Sequence, residues 1–345
     1  MESIEIRQSK KRDIRFDIAK GIGILLVVIG HVGEMKHLQP IIYSFHMPLF
    51  FMISGYFFKK KKFDVFIKKR IKSLIIPYWF TSILLVLMML IKQIYYQNYH
   101  VALFLRDNLM RIVLGYSQDI NGMAAVGPLW FLLALFFSEL FYLLFSQKEA
   151  FTTLFVIAAF CFGVWSHHHL GVFPFSLQPA LCATLFLHIG FLCKTHHWLD
   201  EMNWQRAVLA LFIWFLSRKN TLFVMTLDMG GTFYADLLPT IIGSCAGSYL
   251  IIYFATHCAQ HLNNPFSALL DFFGRYSLVF LCFHSLEQCY IWPVWWKVVK
   301  YTPIFKTRVQ NYFVVFLKIV WAASGTIISL QSKVLCRIFR IKKPD

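Results

Sequence analysis

The sequence predicts an all-α fold, a polytopic membrane protein of about ten transmembrane helices with both termini cytoplasmic. Three observations predict it. Of 345 residues, 58% are hydrophobic and 18% aromatic, and the mean hydropathy is +0.58, far too apolar for a soluble domain of this length. Apolar runs recur along the whole chain at close to the roughly 20 residues that a bilayer core requires. The formal charge of +17 is placed by loop rather than on one face: eight Lys and Arg lie between Lys59 and Lys72, and five follow Ser332. That asymmetry is the positive-inside pattern, and with both ends inside it requires an even number of crossings. It indicates a basic surface facing the lipid bilayer and argues against nucleic acid as a partner.

In chain order, residues 1–15 are read as a basic cytoplasmic arm, 16–332 as one membrane domain and 333–345 as a basic cytoplasmic tail. The expected spans are 18–35, 40–58, 74–95, 128–146, 151–167, 179–194, 205–217, 237–257, 269–290 and 312–331. The seventh is short and Trp-rich, and Pro179 and Pro239 are expected to kink the sixth and eighth. No cleavable leader is expected, because the first apolar run follows a polar arm and has no small-x-small exit. No internal repeat of the transporter kind is evident. With no soluble catalytic domain appended, any chemistry falls to the spans and their loops.

Groups that hydrocarbon excludes gather between Arg15 and Tyr56: Asp17, Lys20, His31 and His46. Charged and polar residues inside spans are expensive and mark a buried site. At 100° per residue, Lys20 and His31 fall on one helix face, roughly 16 Å apart along the axis. Asp17, three residues before Lys20, is its helix-surface neighbour and can hold the ammonium. The tight 34–39 hairpin brings Glu34 close to His31 and His46, and Pro40 starts the next helix where proline is tolerated. Pro48 removes a backbone hydrogen bond within the second run, whose freed carbonyl protein or water must satisfy. The resulting kink is expected to open a cavity lined by His46.

His31 carries the chemical expectation. A neutral imidazole can take a proton from a hydroxyl near pH 7 and return it to a departing thiolate. Glu139 in the fourth span, and His284 with Glu287 three residues on in the ninth, are further candidates for an interior face. Asp228 and Asp236 could hydrogen-bond sugar hydroxyls. The basic segment 59–72, with Arg70 and Lys72, reads either as a topology anchor or as a capture site for an anionic cytosolic cosubstrate. Consecutive imidazoles at 167–169 and 196–197 point apart, so no metal is expected. The eight cysteines have no CxxC pair and read as small apolar fillers.

Asp17-Ile18-Ala19-Lys20-Gly21-Ile22-Gly23-Ile24 running to Gly30-His31, then Phe45-His46-Met47-Pro48-Leu49-Phe50-Phe51 and Ser54-Gly55-Tyr56, resembles the integral-membrane acyltransferase family 3. The nearest flavour is the fucose 4-O-acetylase-like sugar O-acetyltransferases. Arg70-Ile71-Lys72-Ser73 before Ile76-Pro77-Tyr78, Pro128-Leu129-Trp130-Phe131-Leu132, and Gly274-Arg275-Tyr276-Ser277-Leu278 before His284 continue the likeness through most of the chain. The resemblance implies a ten-span fold that uses cytosolic acyl-CoA to acylate a carbohydrate at or across the membrane. The family histidine matches His31 and the basic residue before it matches Lys20, where lysine replaces a frequent arginine and loses its planar fork. Of the family's pair of arginines near the third span only Arg70 is kept, with Ser73 in the second place. Many relatives add an extracytoplasmic hydrolase-like domain; none is expected here, so the chain completes transfer alone or with a partner.

The combined expectation is an O-acetyltransferase of the bacterial inner membrane taking acetyl-CoA as cosubstrate. His31, Asp17 and His46 are its catalytic residues. Lys20, Arg70 and Lys72 contact the donor, and Glu34, Trp130, Glu139 and His284 the carbohydrate acceptor. Succinyl transfer and N-acylation of an amino sugar stay open, as does association into a homo-oligomer. The rival from another class is a carrier or exporter of a polar or lipid-linked solute, in which the same polar track conducts rather than reacts.

Overall fold

Apolar runs dictate helices, and in the computed structural model each of the expected runs is helical, several of them in short or broken pieces. Residues 12–32, 35, 37–95, 101–119, 126–146, 148–218, 225–288 and 307–341 are described. The helices are α1 (Ile14–Gly30), α2 (Gln39–Tyr43), α3 (His46–Tyr56), α4 (Phe63–Arg70), α5 (Ile76–Tyr95), α6 (Val101–Leu114), α7 (Trp130–Phe145) and α8 (Glu149–Leu170). They continue with α9 (Leu177–Thr195), α10 (Trp204–Leu216), α11 (Leu237–Gln260), α12 (Pro265–Arg275), α13 (Ser277–Leu286), α14 (Thr307–Gln331) and α15 (Lys333–Ile338). One hairpin of two short antiparallel strands, β1 (Leu227–Asp228) and β2 (Phe233–Tyr234), pairs Leu227 with Tyr234 and Asp228 with Phe233.

By length and composition, six helices among the described residues can cross a membrane: Phe63–Ile91, Gly127–Phe145, Glu149–Leu170, Pro174–Thr195, Leu237–Gln260 and Val309–Gln331. The pair α12 and α13, bent by 75°, counts as a seventh if it is one broken span. The expected ninth span is therefore two helices meeting at Tyr276. Arg70 does not end a loop before the third span. A π-helical stretch, Ile71–Ile75, carries α4 directly into α5. Pro179 and Pro239 each sit at the third residue of their helices, where the missing N–H has no intrahelical partner to lose, so α9 and α11 run unbroken.

Pro48 behaves in the same way, and this moves the expected break. The second run parts at Ser44–Phe45, and Pro48 lies in the first turn of α3. Proline at 48 cannot donate to Ser44 O, and α11 supplies the replacement: Ser244 Oγ lies 2.7 Å from Ser44 O and 2.7 Å from its own Thr240 O. Ser248 Oγ reaches Phe45 O at 3.4 Å. Trp214 Nε1 donates to Ser44 Oγ (3.0 Å), and Arg218 Nη1 donates to Pro40 O (2.9 Å). The backbone groups that lipid could not satisfy are thus taken up by α11 and by the end of α10.

α1 is the central helix, packed against α12 most extensively and also against α11, α3, α13, α14 and α2. Between membrane helices close approach rests on small residues. A Cβ on Gly274 would stand 1.5 Å from Asp17 O, and one on Gly21 would stand 2.0 Å from Leu270 O, so α1 and α12 touch backbone to backbone. Gly55 and Gly190 do the same for α3 and α9, where the Cβ positions lie 1.8 Å from Leu187 O and 1.9 Å from Met52 O. Gly30 lets the Tyr43 ring lie against the last turn of α1.

These two kinds of contact differ in what a methyl group does to them. Gly274→Ala forces the helices apart and is expected to destabilise the detergent-solubilised protein by about 1–3 kcal/mol or more, as overpacking does. Ser244→Ala removes a shared hydroxyl and is expected to cost about 1 kcal/mol. Thermal unfolding of the two variants side by side checks the order; an equal or reversed pair would place the weight of the fold on the clamp rather than on the glycine contact.

Candidate active site

His31 follows the last residue of α1, and its ring turns back along the helix so that Nδ1 lies 2.8 Å from Val27 O. A carbonyl can only accept, so Nδ1 carries the proton and Nε2 keeps a lone pair. His46, the first residue of α3, is held in the same way, with Nδ1 2.9 Å from Ile42 O. Both imidazoles line one cavity of about 200 Å³. Tyr43, Trp130, Asp228 and Gln118 share its wall. Tyr43 sits between the two rings, its centroid 6.3 Å from His31 and 4.8 Å from His46.

The rest of that wall is polar and only partly satisfied. Ser117 Oγ, Gln118 Nε2 and Gln288 Oε1 are buried without a partner among the described residues, and all three residues line the cavity. Buried polar atoms left unpaired cost about 1–3 kcal/mol each, so a wall that carries several is suited to a ligand with hydroxyls or amides. Asp228 Oδ1 accepts from Gly231 N at 3.1 Å, which fixes the β1–β2 turn. A Cβ on Gly230 would lie 3.1 Å from Trp130 Nε1, so the indole rests directly on that turn.

A second cavity, about 290 Å³ and mostly apolar, adjoins the first: Met47, Pro128 and Trp130 line both. Its cationic wall residues are Lys20 and Arg70. Lys20 Nζ is 2.7 Å from Asp17 Oδ1, whose other oxygen is 2.5 Å from Arg12 Nε. Arg70 makes a two-point contact with the fully buried Glu139, Nε to Oε2 and Nη2 to Oε1, both at 2.5 Å, and Ser54 Oγ donates to the same carboxylate at 2.6 Å. A forked contact of this kind fixes the guanidinium plane as well as neutralising it. A third cavity, about 590 Å³, shares Phe57 with the second and is lined by Arg12, Asp17, Tyr56, Lys59 and Lys194. Three hollows therefore follow one another along α1, from the basic end to His31.

The residues expected from sequence fall into separate places along this line. His31, His46 and Trp130 meet at the polar cavity. Lys20 and Arg70 meet in the apolar one, while Asp17 stands at its far side as the partner of Lys20, at the opposite end of α1 from His31. Glu139 lines no part of the polar cavity and serves Arg70 instead. Lys72 is exposed on the π-helical stretch. His284 is fully buried behind His31, Nε2 to Nδ1 at 3.4 Å, and Glu34 lies outside the described residues. Tyr43, Ser117, Gln118 and Gln288 were singled out by no sequence pattern, since single polar residues near helix ends are common; Asp228, expected to hydrogen-bond sugar hydroxyls, lines this cavity.

The chain matches the family described as "Acyltransferase domain", the membrane acyltransferase family 3, over residues 13–330. It is 29% identical over 226 residues to Nodulation protein NolL of Mesorhizobium japonicum, covering 60% of this chain and 53% of that protein. A second Nodulation protein NolL, from Sinorhizobium fredii, is 48% identical over 59 residues, 14% of this chain and 16% of its own length. The chain spans about half the length, or less, of these curated relatives. No solved structure matches it. With the family pattern running through nearly all of the helices that build the cavities, the chain belongs to the membrane acyltransferase family 3.

Proposed function

We propose that the protein is a membrane-embedded O-acetyltransferase that moves an acetyl group from cytosolic acetyl-CoA to a carbohydrate hydroxyl, with His31 as general base. One observation carries this reading: a polar cavity lined by two imidazoles and by unpartnered polar atoms adjoins an apolar cavity with cations on its wall. A thioester arm suits the apolar hollow, and a sugar ring suits the polar one. Trp130, on the shared wall, offers an aromatic face to the ring. Lys20 and Arg70 give the donor's anionic groups a place to bind, and the cavity of Arg12, Lys59 and Lys194 suits its nucleotide end.

The reaction then needs only this chain's own groups. The acceptor hydroxyl gives its proton to His31 Nε2 as its oxygen forms a bond to the thioester carbonyl carbon. The tetrahedral intermediate collapses with cleavage of the carbon–sulfur bond, and the thiolate takes the proton back from His31, leaving an ester and free CoA. In this reading His46 holds the acceptor in the same cavity while His31 moves the proton. Glu139 acts through Arg70.

His31→Ala is expected to lower kcat by about 10²–10⁴-fold while acetyl-CoA still binds. Lys20→Ala and Glu139→Gln are expected to act mainly on KM for acetyl-CoA, since they loosen donor binding rather than proton transfer. Labelled acetyl-CoA with a membrane glycolipid extract as acceptor measures both. Flux of a solute without consumption of thioester would support a carrier instead, and wild-type turnover in the His31 variant would remove it from the mechanism. Gln118→Ala should raise KM for the acceptor and leave that for acetyl-CoA unchanged.

A further inference from the structure

We propose that His284, Glu287 and Lys318 form a buried positioning network that fixes the His31 ring and faces the charge it gains during acyl transfer. The inference rests on the reading of His31 as base. All three side chains have 0% exposure. The His284 and His31 rings stand 5.4 Å apart, with His284 Nε2 3.4 Å from His31 Nδ1. His284 Nδ1 lies 3.5 Å from Glu287 Oε2, and Lys318 Nζ is 2.9 Å from both oxygens of that carboxylate.

The proton positions follow from what each group can do. His31 Nδ1 carries hydrogen because Val27 O accepts from it, so the facing His284 Nε2 must be an acceptor. The His284 proton then sits on Nδ1, the side of Glu287. The order is thus ammonium, carboxylate, imidazole, imidazole, with the last Nε2 left open to the polar cavity. When His31 takes the acceptor's proton at Nε2 it becomes a cation, its Nδ1–H still bonded to Val27 O, and a lone pair backed by a carboxylate stands 3.4 Å from that nitrogen. No proton travels along the chain; the network orients His31 and stabilises its imidazolium.

A plain structural role explains these ions poorly. A buried ion pair is weak evidence for stability, because desolvation offsets its attraction. α13 and α14 are already tied by Trp321 Nε1, which donates to Phe283 O at 3.1 Å, and by Phe283 packed over Gly325. The Glu287 carboxylate also follows directly on α13, three residues after His284, which reaches His31.

The test is the double variant Glu287→Gln with Lys318→Met, which removes both buried charges together and leaves neither orphaned. With labelled acetyl-CoA and glycolipid extract, kcat is expected to fall about 10- to 100-fold, while KM for acetyl-CoA stays within about threefold. A kcat within about threefold of the unsubstituted protein would overturn the proposal and leave the network structural. Should the double variant fail to insert, His284→Gln, which changes no buried ion, reads the same step with the same two outcomes. His31→Ala runs alongside: loss of turnover there with retained kcat in the network variants sinks the network alone, whereas retained turnover in His31→Ala sinks the base and the network together.

Discussion

Two imidazoles in one cavity each give their Nδ1 proton to a carbonyl one helical turn back, and the reactivity of the site depends on that contact. The bond costs the helices nothing, because a carbonyl has two lone pairs. It decides which nitrogen of each ring carries hydrogen, and both rings line the same polar space. Neither ring needs a carboxylate in contact to be set in this way. The tautomer is a property of the helix end itself, and for His31 the buried imidazole of His284 reinforces it from behind.

That arrangement requires two helices to begin or end inside the helix bundle, which leaves backbone groups in need of partners. The protein answers with side chains from a distant part of the chain. Ser244 and Ser248 of α11, Trp214 at the end of α10 and the adjacent Arg218 bond the backbone or hydroxyl of the 40–45 segment. Backbone contact at Gly21 and Gly274 fixes α1 against α12, and the 75° bend that follows brings α13 to His31. The scaffold and the site share their parts: the break that needs the clamp is the one that positions Tyr43 and His46.

How much of this was legible in the sequence follows the range of the forces involved. Helical character and the all-α class come from composition and apolar runs, which are local. The placement of Lys20 and His31 along α1 follows from helix periodicity alone. Pro48 announced a missing hydrogen bond, yet the break lies at Ser44–Phe45, because the replacement donor comes from 200 residues away. The forked contact of Arg70 with Glu139 and the pair of Glu287 with Lys318 join residues 69 and 31 positions apart, which no pattern in one sequence links. Pro179 and Pro239 read as kinks only if their place is overlooked: the expected spans begin at 179 and 237, so both prolines fall in a first turn, where no intrahelical hydrogen bond is lost.

The most direct test of the account is the protonation of His31 itself. Nitrogen-15 NMR of histidine-labelled protein, with the His31 signals identified by substitution, reports each ring nitrogen separately. The account predicts a proton on Nδ1 and an unprotonated Nε2 in the resting protein near pH 7. A proton on Nε2, or a lone pair on Nδ1, would contradict it, since the ring would then have no base to offer the acceptor hydroxyl.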